Sequence, residues 1–279
     1  MRSFLNLTIL NKIFNEDCLT GMNKIPDNSI DMILCDLPYG TTKNSWDKVI
    51  DLKKLWVQYN RIIKDNGAIV LFAQSPFDKI LACSNLKMFR YEWIWEKTHS
   101  TGFLNASKCP LKNHENILIF TKEELHENIL VFYKKLPTYN PIKTKGHRKV
   151  SRASHKTNCM QSSNYGKQMH TKDYDSDERY PASILRFKSD KQNNNLHPTQ
   201  KPVELLRYLI KTYTNENEII LDNCIGSGST AVAAYLENRN FIGFDNGTCE
   251  KTKKPFAEIA TNRYLDLKEK YKLFEMEYK

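Results

Sequence analysis

A chain of 279 residues with 40% hydrophobic and 11% aromatic content can bury a real core, as one large or two small domains, which excludes a disordered polymer. No stretch approaches the roughly 18 apolar residues of a membrane-spanning helix, and the polar-interrupted start, residues 1–10, lacks a small-residue cleavage site, so no signal peptide is expected. The formal net charge of +10 directs attention to polyanionic partners, provided that charge is concentrated somewhere.

In chain order, residues 12–15 read as a short strand, followed by Glu16-Asp17-Cys18 and a short helix to Ile25. Residues 30–35 are apolar and β-branched at their centre, which predicts an interior strand. That strand runs out into Asp36-Leu37-Pro38-Tyr39: a carboxylate, a rigid proline and an aromatic ring. Ligands of open α/β sheets bind beyond the carboxyl ends of strands, so these side chains are aimed at a substrate. A carboxylate and carbonyls can hold an amino group, and a ring can stack on a flat base. An Asp-Pro turn that merely closes a strand is the alternative.

Residues 51–63 place Leu52, Leu55, Trp56, Tyr59, Ile62 and Ile63 at a helical period, and Asn66-Gly67 is expected to stop that helix before a strand over 68–72. Residues 91–96 and 116–120 read as further strands, and alternation of this kind predicts a mainly parallel sheet with helices on both faces. Residues 114–122 are nearly repeated at 126–134, as a hairpin or as a tandem copy extending the sheet edge.

The charge is indeed concentrated. Residues 134–191 hold 14 Lys and Arg against 5 Asp and Glu, a net +9 that leaves +1 for the rest of the chain. This is the footprint of a nucleic-acid contact, a solvated basic loop being the other reading. Lys143, Lys145, Arg148, Lys149, Arg152 and Lys156 are the candidate nucleic-acid-binding residues. The seven cysteines are scattered without a C-x-x-C pair, and the seven histidines show no ligand spacing. No metal is therefore expected, and a reducing cytoplasm is.

After His197-Pro198-Thr199-Gln200-Lys201-Pro202 comes a helix with Leu205, Leu206, Leu209 and Ile210 on one face, then a strand over 219–221 ending at Asp222. Gly226, Gly228 and Ala231 match G-x-G-x-x-G/A between that strand and a helix over 231–238. A strand over 240–244 ends at Asp245, 17 residues after Gly228, where an acid hydrogen-bonds ribose hydroxyls. No Lys or Arg lies in the turn to grip a pyrophosphate, which favours a nucleoside cofactor such as S-adenosylmethionine.

Asp36-Leu37-Pro38-Tyr39, the 197–202 motif and the glycine turn at 222–230, in that order, resemble the β-class amino-methyltransferases of DNA. The similarity runs from about Ile13 to Tyr264, and Gly40-Thr41-Thr42, Trp46-Asp47 and Trp95-Glu96-Lys97 look like its phage and prophage branch. The resemblance implies an α/β, Rossmann-like, doubly wound and mostly parallel seven-stranded sheet, with circularly permuted motif order and an inserted target-recognition region. Residues 1–133 would be the catalytic half, 134–191 the insert and 192–279 the cofactor half. S-adenosylmethionine would be the methyl donor and a flipped base in double-stranded DNA the acceptor.

Carried over by position, Asp36, Leu37, Pro38 and Tyr39 would be catalytic. Asp17 would contact the cofactor's adenine, Asp245 its ribose, and Gly226 and Gly228 its methionine portion. Lys201 and Pro202 would lie along the cofactor's other side, with Cys18, Asp36, His197, Asp222, Cys224 and Thr230 completing the pocket. Two departures stand out: Leu37 replaces the first proline of D-P-P-Y but keeps its carbonyl, and Asn223-Cys224 replaces Pro-Phe, losing a ring from the cofactor's packing.

The resemblance implies N6 of adenine as the target, since the family's adenine-specific members open the tetrapeptide with aspartate. N4 of cytosine, an RNA or protein nitrogen, and a catalytically impaired DNA-binding remnant are the alternatives. A cytoplasmic, DNA-associated enzyme is expected, with a homodimer and a cognate restriction enzyme left open. If the basic segment contacts phosphates, duplex binding measured by fluorescence anisotropy should fall steeply as salt rises; a flat response would point away from DNA.

Overall fold

The structure, a computed structural model, describes residues 8–42, 44, 46–101, 103, 106–108, 110–122, 137–148, 150–151, 161–162, 166–167, 175–188 and 200–277. His197, Lys149, Arg152, Lys156 and the second strand copy at 126–134 lie outside them. Met1–Asn140 together with Ser183–Lys279 form one compact unit, and Pro141–Ala182 form a second.

The elements run β1 (Lys12–Phe14), α1 (Cys18–Gly21), β2 (Ile30–Asp36), α2 (Leu52–Ile62), β3 (Ile63–Ala73), α3 (Phe77–Ser84), β4 (Phe89–Thr101) and β5 (Lys112–Thr121). Four two-residue strands, β6 (Val150–Ser151), β7 (Gln161–Ser162), β8 (Gly166–Lys167) and β9 (Asp175–Ser176), belong to the second unit. The first unit resumes with β10 (Ile184–Phe187), α4 (Val203–Tyr213), β11 (Ile219–Asp222), α5 (Ser229–Leu236), β12 (Asn240–Phe244) and α6 (Phe256–Glu277).

Its sheet has eight strands in the order β1-β12-β11-β2-β3-β5-β4-β10. Every neighbouring pair is parallel except those of β5, which runs antiparallel to both β3 and β4. Seven strands were expected; the short β10 beside β4 makes an eighth. Charge alone assigns residues 184–187 to the basic insert, but Leu185 is buried and the strand pairs with Ile94 to Lys97.

Alternation along β2 shows why helices cover both faces. Ile33 and Cys35 pack into the cluster under α2 and α3, whereas Met32 and Leu34 enter the cluster under α4 and α5. Asp51 caps α2 by accepting from the backbone of Lys53 at 3.0 Å and Lys54 at 3.2 Å, and Leu55, Trp56, Tyr59 and Ile62 form its buried face.

The end of this helix differs from expectation. Asn66 and Gly67 do not stop it, because the chain enters β3 at Ile63 and both residues are inside the strand. Gly67 is needed for close approach: a Cβ there would lie 2.7 Å from Ile63 Cδ1 and 2.9 Å from the Asp31 carbonyl. It sits beside the register shift between Ile30 and Met32.

In the second unit, β6 pairs with β9 and β7 with β8, both antiparallel. Lys143 and Lys145 reach Glu178 at 3.2 and 3.7 Å, and Arg148 is exposed.

Buried hydrogen bonds join the two halves of the first unit, among them that of Tyr59 Oη of α2, which donates to Asn223 Oδ1 at 2.6 Å. Tyr59→Phe would leave that amide oxygen without its donor in a buried site. Chemical denaturation should show a loss of about 1–3 kcal/mol.

Candidate active site

A cavity of about 1440 Å³ opens where β2, β11 and β12 run out, and both Asp36–Tyr39 and the glycine turn line it. Residues distant in sequence thus share one crevice. Asp17, Cys18, Lys201, Asp222, Cys224, Thr230 and Asp245 line it as well, and Pro202 caps the start of α4 directly after Lys201.

The glycine turn is built for close packing. Gly226 and Gly228 have φ of 51° and 82°, values that L side chains avoid, and a Cβ on Gly228 would lie 2.8 Å from Ala260 Cβ of α6. Asp245, just beyond β12, braces the turn: Oδ2 accepts from Gly226 N at 2.9 Å and Oδ1 from Gly247 N at 2.8 Å. A carboxylate has roughly four lone-pair sites, so these bonds leave capacity for a diol. Burial raises the Asp245 pKa against the pull of those two N–H groups.

Asp222 is buried and accepts from Cys224 N at 3.1 Å. Burial pushes its carboxyl up to about 7. The Cys224 thiol beside Cys18, together with burial, raises the Cys18 thiol far above its usual value, and burial pushes Cys35 up to about 12. These are neutral thiols at physiological pH, and they pack as small apolar groups. Asp17 is exposed, and its Oδ1 caps α1 by accepting from Thr20 N at 3.0 Å. Carboxylates along the wall and no cation in the turn fit a nucleoside that carries a positive sulfonium.

The other end of the cavity is a charge cluster. Tyr39 Oη donates to Asp36 Oδ1 at 2.7 Å, and its ring stacks on Phe77 with centroids 5.4 Å apart. Lys201 Nζ donates to Asp36 Oδ2, lies 3.3 Å from Glu115 Oε2, and rests 5.0 Å from the centre of the Phe72 ring. Lys97 Nζ lies 2.5 Å from Glu115 Oε1. Lys201, expected along the cofactor, lines the cavity and has its ammonium on the Asp36 carboxylate.

Burial raises Asp36 above the usual carboxylate range, with Lys201 pulling it down. Burial opposes the charge of Lys201, but Asp36 and Glu115 outweigh it and hold the ammonium above the ordinary lysine value. Burial likewise works against ionised Glu115, and Lys201 and Lys97 hold it below the ordinary glutamate value.

Sequence reasoning missed Glu115 and the charge role of Lys97. They sit on neighbouring antiparallel strands, and only the pairing of Trp95 with Glu115 brings them together. Asp47 was also missed as a functional group. It accepts from the backbone of Gly40, Thr41 and Thr42 at 2.8, 2.9 and 2.6 Å and so pins the loop that follows Tyr39.

A "DNA methylase" family model for N6 and N4 enzymes matches residues 30–253. The type II methyltransferase M.BglII of Bacillus subtilis is 28% identical over 272 residues, which cover 90% of this chain and 68% of that protein. The DNA adenine methyltransferase YhdJ of Escherichia coli (strain K12) is 27% identical over 254 residues, covering 84% and 77%. Among solved structures, the M1.HpyAVI–SAM complex has a TM-score of 0.56 at 20% identity, covering 90% of this chain and 98% of that one. The cytosine-N4-specific PvuII DNA methyltransferase also scores 0.56, at 14% identity, covering 91% and 92%. These two structures share the fold. With the glycine turn and the Asp36 carboxylate in one crevice, and the family model spanning most of the sequence, the chain belongs to the N6/N4 amino-methyltransferases of DNA and uses S-adenosylmethionine as its cofactor.

Proposed function

We propose that the protein transfers a methyl group to the exocyclic N6 of adenine in double-stranded DNA. The observation that carries this reading is the Asp36 carboxylate and Tyr39 ring facing the same cavity as the glycine turn. The aspartate at the head of the tetrapeptide favours adenine over cytosine.

An exocyclic nitrogen is a poor nucleophile because its lone pair is delocalised into the ring. Asp36 and the carbonyl of Leu37 or Pro38 accept its hydrogens and concentrate electron density on nitrogen. The bound cofactor supplies an electrophilic methyl group on sulfur. Tyr39 stacks on the extruded base, a contact worth about 1–3 kcal/mol that offsets unstacking, and its hydroxyl fixes the rotation of Asp36.

Asp245 takes the ribose, Asp17 the cofactor's adenine and the backbone at Gly226 and Ser227 the methionine portion, with Cys18, Asp222, Cys224 and Thr230 forming the wall; Gly228 supports the turn by its close packing on Ala260. His197 belongs to this group by motif. The basic insert, with Lys143, Lys145 and Arg148, contacts the DNA backbone. Glu178 already engages two of these lysines, so phosphate must compete with it.

Nucleoside mass spectrometry of DNA from cells expressing the protein should detect N6-methyladenine; N4-methylcytosine in its place would overturn the adenine assignment. Asp36→Asn keeps the shape and removes the charge, so single-turnover methylation should fall by about 10²–10³-fold, while calorimetry should show little change in cofactor affinity. Protonated Asp36 cannot accept on both oxygens, and burial raises its pKa. The acid limb of the rate profile should therefore lie above the ordinary carboxylate range of about 3.9.

A further inference from the structure

Four side chains of alternating sign run through the methyl-transfer centre: Asp36 at the end of β2, Lys201 before α4, Glu115 on β5 and Lys97 on β4. Their side chains are 26%, 8%, 10% and 11% exposed, so three of the four are largely removed from water. We propose that Glu115 and Lys97 are positioning residues for methyl transfer, acting on Asp36 through Lys201. This rests on the reading of Asp36 as the acceptor of the target amine.

Lys201 bonds Asp36 Oδ2 directly, so a second acid within reach of the same ammonium alters how strongly Lys201 holds that oxygen. Glu115 is that acid. One N–H of the Lys201 ammonium goes to Asp36, and the Glu115 carboxylate acts on the same ammonium through its charge. Glu115 Oε2 is buried with no hydrogen-bond partner among the described residues, although Lys201 Nζ lies 3.3 Å away. The oxygen is thus held at ion-pair distance and not bonded into the fold.

Structural duty on this strand falls to the next residue, Asn116, whose Nδ2 donates to Asp78 Oδ2 at 2.9 Å. Buried ion pairs contribute little to stability by themselves, so four charges here point to a role in the chemistry. Lys97 balances Glu115, and the four formal charges cancel. That matters at a site that must admit a positive sulfonium, because a surplus cation would repel it.

Besides Lys201 and Glu115, Asp36 is faced by the Tyr39 hydroxyl, by Cys35 on its own strand and by Asp222 on β11. Burial keeps the Tyr39 hydroxyl and the Cys35 thiol protonated through the neutral range.

Glu115→Gln and Lys97→Met test the proposal with opposite signs. In the full-length protein acting on duplex DNA, K97M leaves Glu115 unbalanced, and the acid limb of the kcat profile should move up by about 1 pH unit. E115Q leaves a surplus cation, and the limb should move down by a similar amount. The double variant restores neutrality and should return towards the wild-type profile.

Binding without turnover should follow the same signs by calorimetry. E115Q should weaken S-adenosylmethionine severalfold relative to its neutral product S-adenosylhomocysteine, and K97M should not. Shifts of the same sign, or unchanged profiles in both variants, would overturn the proposal, as would equal changes for the two ligands. Should E115Q fail to fold, as judged by thermal melting, K97M carries the sign test alone. Unimpaired turnover by D36N would instead count against the acceptor role of Asp36, which separates the two failures.

Discussion

The parallel ladder between β2 and β11 is the constraint from which the site follows. Met32 pairs with Ile220 and Ile33 with Leu221, so both strands expire on the same rim of the sheet. Inside that ladder Asp31 is buried, and its Oδ2 accepts from Ile219 N at 3.0 Å while its Oδ1 meets Lys64 Nζ at 2.6 Å. A buried carboxylate satisfied on both oxygens resists slippage against β11, since a change of register would take away the Ile219 N–H that satisfies Oδ2. Asp36 and Asp222 are thereby delivered to one crevice.

Around that rim the protein uses main-chain donors to hold acids in place. Asp245 is held by the N–H groups of Gly226 and Gly247, and Asp47 by those of Gly40, Thr41 and Thr42. Each acid sets a loop, and each loop forms one wall of the cavity. Asp36 differs, because its partners are the side chains of Tyr39 and Lys201, which rotate more freely than a backbone. Asp36 is therefore held by side chains where the other two acids are held by the backbone.

Much of this was legible from residue order. Strand ends at Asp36, Asp222 and Asp245, the glycine turn and its helix, and the apolar face of α2 all follow from local pattern. Glu115 and Lys97 were not legible as a pair, because their meeting depends on antiparallel register between β4 and β5, which neither strand's pattern encodes. Gly67 misled because a glycine after an amphipathic run usually ends a helix, whereas here tight packing against Asp31 selected it. Charge overextended the insert, since β10 carries Arg186 on an exposed edge although Leu185 is core.

A carboxylate placed beside a reactive alkyl donor is itself a nucleophile, and its methyl ester would be a dead end. In the resting protein Asp36 has one oxygen bonded to the Tyr39 hydroxyl and the other to the Lys201 ammonium. Charge-assisted hydrogen bonds withdraw electron density from both oxygens. If Asp36 is the amine acceptor proposed above, the clamp that orients it also guards it against esterification.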